Sequence, residues 1–292
     1  MNFKIVVLAK QVPDTRNAGK DTMKEDGTVN RAALPTIFNP EDLNALEMAI
    51  KAKESIEGAE LYVLTMGPPR AAEIIRESLY RGADGGYLIT DMKFAGADTL
   101  ATSYTIAKAI EKLGDVKLIF AGRQAIDGDT AQVGPQTAEK LGIPQITYAE
   151  EFLGCDLKEN KITIKRRLER GIEVVKAPIP AVVTVHGSAD ECRARHAKKL
   201  MKYKHARTTT ELQSEDKDYT ELRSNCPYLC ITEWTAADLN TDVEQLGLKG
   251  SPTKVKAIEN VVLTAKDSVK LTPADEDMNK LMKELIDSHV IG

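Results

Sequence analysis

The stretch AIDGDTAQVGP, Ala125 to Pro135, carries two carboxylates and two glycines just after the apolar run VKLIFAG of residues 116–122. Gly128 and Gly134 lack a Cβ, so the backbone there can approach a ligand closely. The amides from Thr130 through Ala131, Gln132 and Val133 to Gly134 open toward a helix start, where unpaired N–H groups and the helix dipole favour phosphate. The Thr130 hydroxyl and the Gln132 amide add side-chain hydrogen bonds. Asp127 and Asp129 would repel a phosphate if unpaired, so their oxygens are expected to cap backbone amides or to take ribose hydroxyls. A plainer reading makes Asp129 a helix cap and Asp127-Gly128 a tight turn. The run is neither a Walker loop, lacking G-K-[ST], nor the G-x-G-x-x-G fingerprint.

Two further loops follow apolar strands and share this polar, proline-bearing character: KQVPDT (10–15) and TMGPPR (65–70). Side by side along one edge of a sheet, the three would form a crevice suited to a nucleotide. Other chemistries find less support. The four histidines all lie at or beyond residue 186, so no Ser/His/Asp or Cys/His nucleophile set emerges. His186, Cys192, His196 and His205 match no zinc spacing. Cys155, Cys192, Cys226 and Cys230 are too few for a disulfide framework and read as free structural thiols.

These loops need strands and helices to hold them. FKIVVLAK (3–10), AELYVLTM (59–66), GGYLIT (85–90), VKLIFAG (116–122) and QITYAEE (145–151) read as strands. Helices are expected over 41–55, 70–82 and 98–114, and around 136–142. Asn39-Pro40 caps the first, and Asp98 or Thr99 the third, with Leu100, Ile106, Ala107, Ile110 and Leu113 turned inward. KITIKRRL (161–168), IEVVKA (172–177) and PAVVTVH (180–186) give a hairpin and a further strand completing the sheet. The alternation predicts an α/β fold: a doubly wound, mostly parallel sheet with helices on both faces.

At 292 residues and 42% hydrophobic, the chain can build a sizeable core. A net charge of −4 argues against nucleic acid as partner. The basic segment RARHAKKLMKYKHAR (193–207) instead suits solvent or an acidic protein surface. No apolar stretch reaches membrane-spanning length and the N-terminus enters a strand at once, so the expectation is a cytoplasmic protein with no membrane span. Periodicity weakens after His186, placing a boundary near 187.

KIVVLAKQVPDT (4–15), FNPEDLNALEMA (38–49), VLTMGPPRA (63–71), RGAD (81–84), FAGADTLATSYTIAKAI (94–110), AGRQAIDGDTAQVGP (121–135) and PAVVTV (180–185) together resemble the β subunit of electron-transfer flavoproteins. LGLKGSPTKVK (246–256) is similar to the C-terminal segment of longer members. The resemblance implies a Rossmann-like core of adenine-nucleotide-binding type over 1–186. It also implies a docking segment and C-terminal extension over 187–292 that wraps an α subunit carrying FAD. It places the cofactor-binding residues at Ala9, at Asn39 and Asp42, at Thr65 and Met66, and at Gly122. The run Asp127, Gly128, Asp129, Thr130, Ala131, Gln132, Val133 and Gly134 then surrounds a pyrophosphate.

The DGDTAQVGP version resembles the electron-bifurcating members, which implies FAD here, with AMP as the alternative. NADH would be the donor. The α-subunit FAD, an acyl-CoA or similar flavin dehydrogenase, and ferredoxin would be the partners. Met66 lines the flavin or belongs to the core, and Arg123 lies near the flavin or in a surface ion pair. Two departures stand out. Glu169-Arg170-Gly171 replaces an acidic-glycine turn, and His186 to Arg193 differs from the family's recognition loop, with Ala197 at the place of its exposed leucine. A regulatory adenine-nucleotide-binding module of the universal-stress-protein type is the alternative of another class.

Overall fold

The computed structural model describes residues 3–14, 35–253 and 269–291. Thr15 of the first loop and the end of the LGLKGSPTKVK stretch lie outside them.

Strand β1, Phe3–Leu8, is apolar on both faces: Ile5 and Val7 enter one core cluster, Val6 and Leu8 the other. It is therefore a central strand, hydrogen-bonded in parallel to β4 (Ala59–Met66) on one side and β6 (Val116–Gly122) on the other. A short antiparallel pair, β2 (Gln11–Pro13) and β3 (Thr36–Phe38), follows β1. Beyond β4 lie β5 (Gly85–Ile89) and, at that edge, β11 (Thr232–Trp234). Beyond β6 lies β10 (Ala181–Val185), then β7 (Gln145–Asp156), β8 (Lys161–Leu168) and β9 (Gly171–Pro178). Only the β7–β8–β9 meander is antiparallel in this nine-stranded sheet.

Helices α1 (Pro40–Ser55) and α2 (Ala72–Arg81) bury one face, and α3 (Thr99–Leu113) and α4 (Val133–Leu141) the other. Gly82 closes α2 at φ +151, a conformation that glycine adopts without strain. Asp98 caps α3 by accepting the Leu100 and Ala101 amides at 3.0 Å each. Leu100 itself is 40% exposed, so it does not turn inward as its spacing suggested. In the first turn Ala101 is the buried residue, and Ile106 and Ile110 carry the apolar contacts of α3 with the core. The strand expected to follow the hairpin does so in sequence only. In space β10 inserts between β6 and β7.

Residues Met1–Val255 form one compact unit and Lys256–Gly292 a second. In the first, α5 (Ala197–Tyr203) packs on α2, followed by α6 (Thr209–Ser214), α7 (Tyr219–Asn225) and β11, where Trp234 stacks on Tyr87 at 4.3 Å. The basic segment is partly neutralised by the core. Arg193 reaches Glu47 and Glu54, and Arg195 reaches Glu77. The second unit contains α8, Asp275–Asp287. Among the described residues no helix is long and apolar enough to cross a membrane.

Candidate functional site

The carboxyl ends of β4, β1 and β6 lie side by side, and chain connection reverses direction between β1 and β6. Such a reversal opens a crevice at the strand ends. The structure brings Ala9, Asn39, Asp42, Thr65, Gly122 and the 125–134 loop together there through a set of long-range hydrogen bonds. At the end of β1 the Ala9 amide donates to the Leu64 carbonyl at 3.0 Å, and the buried Thr65 hydroxyl donates to the Ala9 carbonyl. Met66 is half-buried and packs on the α3 side of the core.

Asp42 is the junction. Its Oδ2 accepts the Lys10 amide at 2.8 Å, and its Oδ1 accepts the Gly122 amide at 2.9 Å. Both oxygens thus face backbone, and the residue is 7% exposed, so its role is to join the ends of β1 and β6. Burial pushes its carboxyl up to about 7, against the two amide bonds, Asn39 and the Lys10 charge, which favour the ionised form.

Asn39 precedes α1 as expected, yet its side chain makes no cap. Fully buried, it turns to the loop instead: Nδ2 donates to the Gln124 carbonyl at 2.9 Å and Oδ1 accepts the Ile126 amide at 3.1 Å. The Pro40 ring begins the helix without needing a donor, which leaves Asn39 available for this second task.

The two aspartates do not cap backbone amides. Asp127 takes the Lys10 ammonium on both oxygens, at 2.7 and 2.8 Å, and Asp129 accepts the Gln124 side-chain amide at 2.8 Å. Asp129 is not a helix cap either: Gln132 occupies that position, and its Oε1 accepts the Thr99 hydroxyl at 3.0 Å. Asp129 and Ala131 sit at φ +49 and +53, left-handed conformations that strain residues bearing a Cβ. With the chain bent in this way, no hydrogen bond among the described residues engages the amides of Thr130, Ala131, Gln132, Val133 or Gly134.

The two glycines differ in purpose. A Cβ at Gly128 would meet nothing within 4 Å, so that backbone faces open space. A Cβ at Gly134 would lie 2.5 Å from Thr184 Cγ2, so this glycine is required for α4 to lie against β10, a packing reason rather than the close ligand approach expected for it. Arg123 pairs with Glu41 at 2.9 Å and stands 5.9 Å from the Tyr148 ring. Its charge is therefore matched within the chain.

The parts that Lys10, Glu41, Gln124, Thr99 and Thr184 play here were not foreseen from the sequence, which offered Thr99 only as an alternative helix cap and Lys10 only as the start of the first loop. Only Lys10 carried a signal, standing next to Ala9 in the first loop. The site residues meet at the strand ends largely through bonds to backbone groups. A cavity of about 340 Å³ lies elsewhere, lined by Leu100, Tyr104, Lys140, Gln245 and Pro252 among others. No group of three or more His, Cys, Asp or Glu among the described residues is placed to hold a metal ion.

The family described as Electron transfer flavoprotein domain matches residues 26–210. The chain is also 40% identical over 289 residues to the Electron transfer flavoprotein subunit beta of Clostridium acetobutylicum, covering 99% of this chain and 100% of that one. The chain belongs to the electron transfer flavoprotein family, as a β-type subunit. Among other electron transfer flavoprotein relatives, the Caffeyl-CoA reductase-Etf complex subunit CarD of Acetobacterium woodii is 37% identical over 290 residues, covering 99% of this chain and 100% of its own. The Acryloyl-CoA reductase electron transfer subunit gamma of Anaerotignum propionicum is 38% identical over 294 residues, with the same coverage. Those two names tie the relatives to a caffeyl-CoA and an acryloyl-CoA reductase.

Proposed function

We propose that this electron transfer flavoprotein chain holds FAD in the crevice at the ends of β4, β1 and β6. NADH is then the electron donor. The acceptors are the FAD of an α subunit with its docked acyl-CoA-type dehydrogenase and, by bifurcation, a low-potential acceptor such as ferredoxin. The observation that carries this reading is the row of unengaged amides from Thr130 to Gly134 beside the open backbone of Gly128. Several N–H groups converging at a helix start suit a pyrophosphate better than any neutral ligand.

The surrounding residues keep that row available. Asp42 and Asn39 fix the loop to β1 and α1, so the amides are in place before a ligand arrives. Lys10 neutralises Asp127, removing a carboxylate that would otherwise repel phosphate. FAD, when bound, supplies the redox chemistry by taking two electrons together and passing them on singly. The chain's part is to bind, orient and shield it, with no side chain needed as acid or base.

The test is to release and count the nucleotides of the chain purified with its α-type partner. Two FAD per pair are expected. One FAD with one AMP makes the crevice a structural nucleotide site, and no flavin at all points to the regulatory module. Asp129→Ala and Gly134→Val should each lower the nucleotide content, and unchanged content in both would remove the site assignment.

A further inference from the structure

The nine-stranded sheet ends at β9, and no strand among the described residues pairs with its outer edge. Along β9, Val175 and Ala177 turn to the core, while Ile172 and Val174 turn away and stand 54% and 62% exposed. The β8 register sets Ile172 opposite Arg167 and Val174 opposite Lys165 on that outer face. Those two cations are occupied by Glu150 and Glu151 of β7. Arg170, in the turn before β9, and Lys176, near its end, have no ion-pair partner among the described residues. An open edge thus presents two apolar side chains bracketed by two uncommitted cations. Isolated edges are guarded by lysine and proline, as Lys176 and Pro178 do here, but guarding does not call for outward Ile and Val.

We propose that β9 is a docking strand, to which the α-type partner subunit adds an extended segment reading acid-x-apolar-x-apolar-x-acid. This rests on the pairing with an α subunit proposed above. In that pattern the two apolar residues cover Ile172 and Val174, and the two acids meet Arg170 and Lys176. The backbone edge then supplies main-chain hydrogen bonds, and the alternate side chains supply specificity. A second copy of this chain fits poorly. The antiparallel register that sets Ile172 against Val174 of another copy opposes Arg170 to Lys176 twice and Glu173 to itself. Like charges directly opposite one another disfavour that pairing.

Hydrogen exchange over 171–178 in the free full-length chain and in its complex with the α-type subunit tests the proposal. Exchange at alternate amides should slow at least tenfold in the complex. Ile172→Lys with Val174→Lys, both at exposed positions, should weaken the complex at least tenfold while the free chain keeps its unfolding midpoint. Equal exchange free and bound, with unchanged affinity of the double variant, overturns the proposal and leaves the edge merely guarded. Concentration-dependent dimers of the chain that the double variant breaks up overturn it in favour of a second copy. Failure of the unaltered chain to form any complex overturns the α-subunit pairing itself, and this proposal with it.

Discussion

Asp42 and Gly122 are mutually required. The Asp42 carboxylate accepts the Gly122 amide at 2.9 Å, and any Cβ at residue 122 would overlap that same oxygen and approach the Asp42 amide nitrogen to 2.8 Å. Neither neighbour can give way easily, because Asp42 is buried in the first turn of α1 and is also bonded to Lys10. Gly122→Ala should therefore cost about 1–3 kcal/mol, the usual range for overpacking a close-fitted site. Urea unfolding would show the loss, and bound nucleotide should fall with it as the ends of β1 and β6 separate.

The same carboxylate gives a pH dependence. Its folded-state value of about 7 lies above the ordinary 3.8, so between those values the folded chain holds a proton that the unfolded chain has released. That contribution is fully present below 3.8 and is lost as pH rises toward 7. Asp42→Asn removes the titration. Between pH 5 and 7 the stability of the unaltered chain should fall relative to Asp42→Asn by up to about 1.4 kcal/mol per pH unit, and the two should run parallel above pH 8. Urea midpoints at four pH values decide it. Parallel curves throughout would place the Asp42 value near that of an ordinary carboxyl.

Gly134 separates packing from ligand binding. Gly134→Ala sets a methyl 2.5 Å from Thr184 Cγ2 and should destabilise by about 1–3 kcal/mol. Adding Thr184→Ser removes that methyl and should restore most of the stability in a double-mutant cycle. Failure of the rescue would mean that residue 134 is constrained by something other than β10.

Lys10 and Asp127 form a partly exposed pair, with side chains 48% and 25% accessible. Such pairs contribute about 0–1 kcal/mol, so Lys10→Met should leave stability nearly unchanged. Nucleotide affinity should fall roughly tenfold, because Asp127 then faces the phosphates uncompensated. Lys10→Met with Asp127→Asn should recover part of it. Titration calorimetry with ADP as probe would measure both effects.

Much of this architecture could be read from the chain alone, and the parts that could not share a cause. β1, β4 and β6 announce themselves because most of each strand is buried from both sides, giving the apolar runs Ile5 to Leu8, Leu61 to Leu64 and Leu118 to Ala121. The DGD loop was legible because glycines and a helix start are local signals. The work of Asn39 and Asp42 was not, since these partners lie 80 to 87 residues away, at Gly122, Gln124 and Ile126. Asp127 and Asp129 looked like local caps because a short polar side chain usually serves its own turn. Their actual partners, Lys10 and Gln124, come from another loop and from five residues back.

The place of β10 between β6 and β7 has a consequence during synthesis. The ribosome releases β6 and then the whole β7–β8–β9 meander before Val185 appears, so the nascent sheet carries a gap at its middle rather than at its rim. Closing that gap joins the β6 side of the sheet to the meander. It also brings Thr184 up to Gly134, so the first turn of α4 reaches its final setting only when this late strand slots into place.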